Sequence, residues 1–446
     1  MKWIAIVGIL SLMVPATTWL RANQSQLPRV MMVLGLLQFL NGLIHVGVAP
    51  ISWAGWPGYV KGTEVTIIDA IAVVVIAASP ARKRIAHLRW PVGLVVLAAL
   101  LSATQSNVPV ASLFYAWQLL RVAVLITAVA ISCHDPRTPR AILLGLAIGV
   151  AVQALMSTGE RFAGAIQSAG TFGHQNQLGM MTHFVTFPTL AMLLSSRQGR
   201  WPWLGLIASM AVVILTASRA TIGLAAIGCV LLLALSIARR STPRKTSIAI
   251  AGIALLTIAA PLAMITLNDR FERTDQSGGY DERAAFERAA MSMAKDHPFG
   301  VGANNYVVVA NTQGYSARAG VATVSGSLSA QVHNAYLLSA AEMGFGGMAV
   351  FAVMMMWPIL VALRCSWRFR KDARGELLLG LAAALIVVAV HSLFEWIFVS
   401  YQVEYMYAIT VGLIAGVSHQ MGFWTKRSRA RKVVPRTTTE DIHVTA

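Results

Sequence analysis

The sequence has little charge, less acid and almost no cysteine. Only 12% of the 446 residues are charged and 56% are hydrophobic, whereas a soluble domain carries about a quarter charged residues. A chain so short of charge cannot face water over its whole surface, which excludes a soluble globular enzyme. Three cysteines, Cys133, Cys229 and Cys365, build neither a disulfide framework nor a thiolate metal cluster. No set of histidines and carboxylates has the spacing of metal ligands. There is no nucleic-acid module and no internal repeat of the kind that marks inverted-repeat transporters.

What is there is a series of apolar runs long enough to cross a hydrocarbon core of about 30 Å. They recur near 4–20, 30–50, 65–79, 92–104, 112–132, 141–157, 178–196, 202–217, 220–238, 246–267, 334–363, 376–394 and 405–421. These runs predict an all-α polytopic membrane protein with about 12–14 transmembrane helices. The first run ends at Leu20-Arg21-Ala22-Asn23, without a small-x-small cleavage site, so it reads as an uncleaved helix. The expected division is an N-terminal helix set over 1–267, an external insertion over 268–332, a C-terminal helix set over 333–425 and a basic tail over 426–446.

The net charge of +18 has a pattern. Arginine and lysine collect on alternate loops: Arg21 and Arg29; Arg82, Lys83, Arg84 and Arg89; Arg137 and Arg140; Arg197 and Arg200; Arg239, Arg240, Arg244 and Lys245; Arg364, Arg368, Arg370, Lys371 and Arg374; and Lys426 to Arg436. Short loops of this kind stay in the cytoplasm, which places the C-terminus inside and 268–332 outside. Thirteen spans would put the N-terminus outside as well, and a split helix would reverse it. The charge is that of an inner-leaflet anchor beside anionic lipids, and the polar tail beyond it reads as disordered.

Within the insertion, Asp281-Glu282 followed by Phe286, Ala290, Met293 and Ala294 predicts an amphipathic helix with acids in its first turn. His297-Pro298, Gly300 and Gly302 stop it. Residues 316–330 are small, with Arg318 the one charge, and predict a mobile flap. As a single helix, 334–363 would measure about 45 Å, more than the membrane core. Gly344, Gly346 and Gly347 offer a break, so a short interfacial helix over 334–343 is expected, with His333 at its outer start.

Histidine has the one ordinary pKa near neutrality, so a positioned His333 could take a proton from a sugar hydroxyl; the alternative is a surface histidine that caps a helix. Arg219 sits on an outward turn, against the charge bias of the loops. Arg121 lies mid-span and needs a carboxylate, for which Asp69, Glu342 and Glu395 are candidates. His391 and Glu395 stand four apart on one helix face and could satisfy one another. The polar turn Gly170 to Gly179 opens a span, with Asn176 or Gln177 as its cap. Arg161, Arg219, Arg283 and Arg288 are outward guanidiniums, whose forks suit phosphate oxygens, so a diphosphate is their natural ligand.

In this order and on these sides of the membrane, a set of motifs resembles the bacterial O-antigen ligases and Wzy-type polysaccharide polymerases, with the related protein O-oligosaccharyltransferases. The motifs are Gly170-Thr171-Phe172-Gly173-His174-Gln175-Asn176, the Thr-x-Ser-Arg turn ending at Arg219, and the Arg283 helix running into His297-Pro298-Phe299-Gly300-Val301-Gly302 and Tyr306. They end with His333-Asn334-Ala335-Tyr336-Leu337 through Glu342, Gly344 and Gly347. Where that family often has tryptophan four residues after the helix arginine, this chain has Glu287, next to Phe286.

The resemblance implies a C-type membrane glycosyltransferase of the bacterial inner membrane, independent of metal and other cofactors. Its active site would face the periplasm, and its donor would be a glycan on undecaprenyl diphosphate. It implies His333 as the catalytic base and Arg219 and Arg283, with Arg288, Arg161, Tyr306 and Asn334, as substrate-binding residues. The acceptor would be a lipid A core sugar, the end of a growing glycan chain or a protein hydroxyl, and chain-length regulators or export machinery would be partners of a polymerase. The reading from another class is a lipid-linked oligosaccharide flippase or other transporter that binds the diphosphate without cleaving it.

Overall fold

A computed structural model describes residues 2–40, 43–44, 47–80, 88–195, 199–254, 257, 261, 264–265 and 282–424. Arg82, Lys83, Arg84, Arg197, Asp281 and the tail over 426–446 lie outside the described residues.

Every apolar run of the sequence overlaps a helix. The first ten are α1 (Lys2–Ala22), α2 (Leu27–Leu40), α3 (Ile67–Ala78), α4 (Trp90–Ala103), α5 (Pro109–Ser132), α6 (Thr138–Phe162), α7 (Gln175–Ser195), α8 (Trp201–Leu215), α9 (Arg219–Arg239) and α10, which begins at 243 and is described without a break through 254. In the described part of the insertion there are four helices: α11 (Arg283–Asp296), α12 (Tyr306–Thr312), α13 (Tyr315–Ala319) and α14 (Ser325–Leu328). The chain closes with α15 (Ala335–Arg368), α16 (Arg374–His391) and α17 (Tyr401–Gln420). Among the described residues, seven helices are long and apolar enough to cross a membrane, α1, α5, α6, α7, α9, α15 and α16. The protein is an all-α polytopic membrane protein.

The packing puts α7, α16 and α17 at the centre, where nearly every side chain is buried. Around them, α7 packs on α8 and α9, α5 on α4 and α17, and α2 on α6. Helix α1 lies outermost against α3 and exposes Trp3, Ile4, Leu12 and Val14, side chains that only a hydrocarbon solvent welcomes.

Two sets of buried ion pairs lie inside this bundle, where a lone charge would be costly. Arg121 donates through Nε to Asp69 at 2.9 Å, with Glu64 at 3.9 Å and the Tyr405 hydroxyl also on Asp69. Of the three carboxylates open to Arg121 in the sequence, the fold therefore selects Asp69. At the end bearing the Lys/Arg-rich turns, here called the basic end, Glu376 accepts from Arg239 at 2.7 Å and Lys245 at 2.6 Å. These two cations of the charge pattern are thus buried fastenings between α9, α10 and α16.

Three expectations are corrected. The run over 30–50 is not one span: α2 stops at Leu40, and Gly47–Val48 pairs antiparallel with Val65–Thr66, in a stretch that contains Pro50 and four glycines between 47 and 62. The flap is not free: α13 and α14 form within it, Val321 is buried, and the Ala322 N–H donates to Glu282 at 3.1 Å. Arg318 lies over the Tyr315 ring at 4.5 Å, so small side chains here permit packing rather than prevent it. The third concerns the cap of α7, taken up with the site.

The amphipathic helix forms as α11, burying Ala285, Phe286, Ala289, Ala290, Met293 and Ala294, but its first turn holds no acid, because the helix starts at Arg283 and Glu282 stands before it at the N-cap. The break in α15 falls at Gly344, whose φ of 74° and ψ of 175° interrupt the helix. The loop after α11 replaces the hydrogen bonds lost there: the N–H groups of Val301 and Gly302 donate to the carbonyls of Ala341 and Glu342 at 3.1 and 2.9 Å, and Phe345 N–H donates to Pro298 at 3.3 Å. Both strands of this contact need glycine. A Cβ at Gly344 would strike the Pro298 carbonyl, and one at Gly300, also at positive φ, would strike that of Glu342. The expected short helix over 334–343 is present, and the insertion is bolted to it.

Candidate functional site

The break in α15 fixes the direction of its first segment, and Asn334 fixes its start. The Asn334 side chain accepts from the N–H groups of Tyr336 and Leu337 at 3.0 and 3.1 Å, an N-cap in extended geometry. His333 is thereby released from capping. Its Nδ1 lies 3.1 Å from Oε2 of Glu395, in the turn after α16, and its ring meets that of Phe286 on α11 at 6.1 Å.

Glu395 gathers the rest. Its Oε1 accepts from Nη2 of Arg283 at 3.1 Å and from the Asn176 amide at 2.5 Å. The carboxylate is sealed, with its side chain 2% exposed, whereas the side chains of His333 and Arg283 are 23% and 43% exposed. A buried anion thus stands behind two groups that reach solvent. Burial pushes the Glu395 carboxyl up, but the hydrogen bond and charge of His333, with the charge of Arg283, outweigh it and hold it below the ordinary glutamate range.

With Glu395 ionised, Nδ1 of His333 is the donor, which leaves Nε2 as the nitrogen able to accept a proton. A carboxylate that fixes a tautomer and stabilises the imidazolium formed on proton transfer is the arrangement of a general base. The neighbouring His174 is held below the ordinary histidine value by burial.

The α7 entrance differs from expectation. His174, not Asn176 or Gln177, takes the backbone N–H of Asn176 at 3.2 Å, which frees the Asn176 amide for Glu395. His391 and Glu395 do not pair either: Nδ1 of His391 lies 3.2 Å from Nε2 of buried His183, because Glu395 falls in the turn beyond α16, where the helical i, i+4 register no longer holds.

The other sequence candidates fall in different places. Arg219 follows Ser218, which caps α9 through the Thr221 N–H at 3.4 Å, and it is exposed. Its turn is tied to the α6–α7 loop, with Ser168 N–H on the Leu215 carbonyl at 3.1 Å and Gln167 on that of Ala217 at 3.4 Å. That loop carries His174 and leads to Asn176, so Arg219 lies on the same end of the bundle as His333. Arg161 donates to the Ala165 carbonyl at 3.3 Å and Arg288 to that of Ala319 at 2.9 Å. Tyr306 is buried; its hydroxyl donates to the Phe286 carbonyl at 3.3 Å and its N–H to Glu342 at 3.0 Å. Tyr306 and Asn334 therefore brace the elements that carry Arg283 and His333.

Residues 204–352 match the family model for O-antigen ligase. Over that stretch the chain is similar to the O-antigen ligases. The matched stretch holds Arg219, Arg283, Arg288, Tyr306, His333 and Asn334, while Glu395, Asn176 and Arg161 come from the chain on either side of it. No curated protein matches the chain. The histidine and helix arginine of the matched stretch converge on a carboxylate from outside its boundaries.

Proposed function

We propose that the protein transfers a glycan from undecaprenyl diphosphate to an acceptor hydroxyl at the periplasmic face of the bacterial inner membrane. The observation that carries this reading is the Glu395 carboxylate shared by His333 at 3.1 Å and Arg283 at 3.1 Å, which supports the one as base and the other as phosphate-binding fork. Nε2 of His333 removes the acceptor hydroxyl proton as that oxygen bonds to the anomeric carbon. The bond from that carbon to the diphosphate oxygen breaks with inversion, and the charge on the departing lipid diphosphate is taken up by Arg283 and Arg219. Their N–H forks supply the stabilisation that a divalent ion gives elsewhere. Arg161 and Arg288 would contribute at longer range.

The acceptor is a lipid A core sugar, the end of a repeat-unit chain, where chain-length or export proteins join as partners, or a protein hydroxyl. The test is reconstitution of purified protein with a lipid-diphosphate glycan and each acceptor, reading released undecaprenyl diphosphate. Release coupled to glycosylated acceptor is expected from the wild type and none from a folded His333→Ala variant. Movement of intact donor across the bilayer without release would establish the transporter reading instead.

A further inference from the structure

We propose a second binding site, at the basic end of the bundle, that seats the phosphate of an anionic phospholipid. A cavity of about 330 Å³ opens there, lined by Arg137, Arg140 and Arg374 together with Met192, Leu377 and Val417, within the range of about 300–1,000 Å³ usual for small-ligand sites. It draws on α6, α7, α16 and α17 and is distinct from the His333 site.

Two of its arginines are held by the same device. In Asp135-Pro136-Arg137 the carboxylate accepts the backbone N–H of Arg137 at 2.9 Å and its Nε and Nη2 at 3.1 and 2.8 Å. In Asp372-Ala373-Arg374 the corresponding distances are 2.9, 3.1 and 2.7 Å. Each aspartate locks one edge of a guanidinium, so the side-chain ordering that anion binding demands is already met. Nη1 of Arg374 donates to the Gln420 carbonyl at 3.3 Å, and the outer edge of Arg137 stays on a side chain that is 65% exposed. Three guanidiniums thus stand at the cavity wall, two of them each held by an aspartate.

The remaining wall decides between ligands. Beside the polar Ser195 and Gln420, Met192, Leu377 and Val417 give it an apolar part that offers nothing to a hydrated free anion but suits the glycerol and first methylenes of a lipid. The turns also belong to the Lys/Arg-rich loops that the charge bias assigns to the cytoplasm, the side where anionic lipids concentrate and basic pockets between helices bind their headgroups.

The test uses full-length protein purified in detergent, titrated separately with phosphatidylglycerol, phosphatidylcholine and inorganic phosphate. Native mass spectrometry reads bound lipid and thermal unfolding reads stabilisation. Phosphatidylglycerol is expected to be retained and to raise the unfolding temperature, with phosphatidylcholine doing neither. Removing two charges in Arg137→Gln/Arg140→Gln should weaken retention roughly 30-fold, at about fivefold per charge. Met192→Trp, which fills the apolar wall without touching charge, should also lower it. Equal retention of both lipids in the wild type, or retention unchanged in the double variant, overturns the site. Stabilisation by inorganic phosphate equal to that by phosphatidylglycerol overturns the lipid assignment in favour of a free anion.

Discussion

Nδ1 of His333 lies 3.1 Å from Oε2 of Glu395, a carboxylate buried to 1% exposure. The two residues are 62 positions apart, and the contact exists because the break at Gly344 turns the first segment of α15 toward the end of α16. In Glu395→Gln the partner keeps its shape but loses the charge that stabilises an imidazolium, and its amide NH2 must face either Nδ1 of His333, reversing the tautomer, or the donors of Arg283 and Asn176. Turnover should fall about 10²–10⁴-fold, with the acidic limb of its pH profile displaced. An unchanged turnover and profile would leave Glu395 a structural residue only.

The same carboxylate sets an acid limit on stability. Because its folded pKa is depressed, its contribution is fully present above the ordinary glutamate value near 4.5 and is lost as pH falls below that value through the folded pKa. The unfolding temperature of the wild type in detergent should therefore drop more steeply below about pH 4.5 than that of Glu395→Gln, while the two run parallel at neutral pH. Parallel curves throughout would mean that Glu395 is not ionised in the folded protein.

Glycine at 344 is a sharper test of the frame. Alanine there meets a positive φ and the Pro298 carbonyl together, which should cost on the order of 1–3 kcal/mol and displace His333, abolishing transfer. A Cβ at Gly346 would meet nothing within 4 Å, so Gly346→Ala should express, unfold and turn over like the wild type. Equal behaviour of the two variants would show that the break does not position the histidine.

The contrast between these residues shows what the sequence discloses. Helix lengths, the amphipathic α11 and the glycine break follow from periodicity and from the thickness of a membrane, both local quantities. The candidacy of His333 and Arg283 is legible from residue type and motif order. That of Glu395 is not: an acid four residues beyond a histidine looks like its helical partner, and only the ending of α16 at His391 shows that it is not. Asn176 is hidden in the same way, since nothing in the sequence says that His174 takes over its capping duty. The ribbon of Gly47–Val48 and Val65–Thr66, and the Tyr59 hydroxyl that it helps bring to Glu342 at 2.6 Å, depend on long-range packing that no run of hydropathy encodes.

Arg283 and Arg288 stand on one helix as outward guanidiniums, Arg283 the stronger candidate for a diphosphate by sequence, and their surroundings predict opposite outcomes. Arg283 rests on Glu395 beside the base, so Arg283→Ala should remove a charge-assisted grip on the donor and lower kcat/KM by about 10²–10³-fold, with the loss carried by kcat because the diphosphate charge grows in the transition state. Arg283→Lys keeps the charge but not the fork and should recover only part of it. Arg288 donates to the last carbonyl of α13, a bond between an exposed side chain and the backbone, so Arg288→Ala should change kcat/KM by less than about tenfold. Steady-state kinetics with a lipid-diphosphate donor measures all three. If Arg288→Ala proves the more damaging, the diphosphate lies toward α13, and the His333–Glu395–Arg283 constellation is not where the bond breaks.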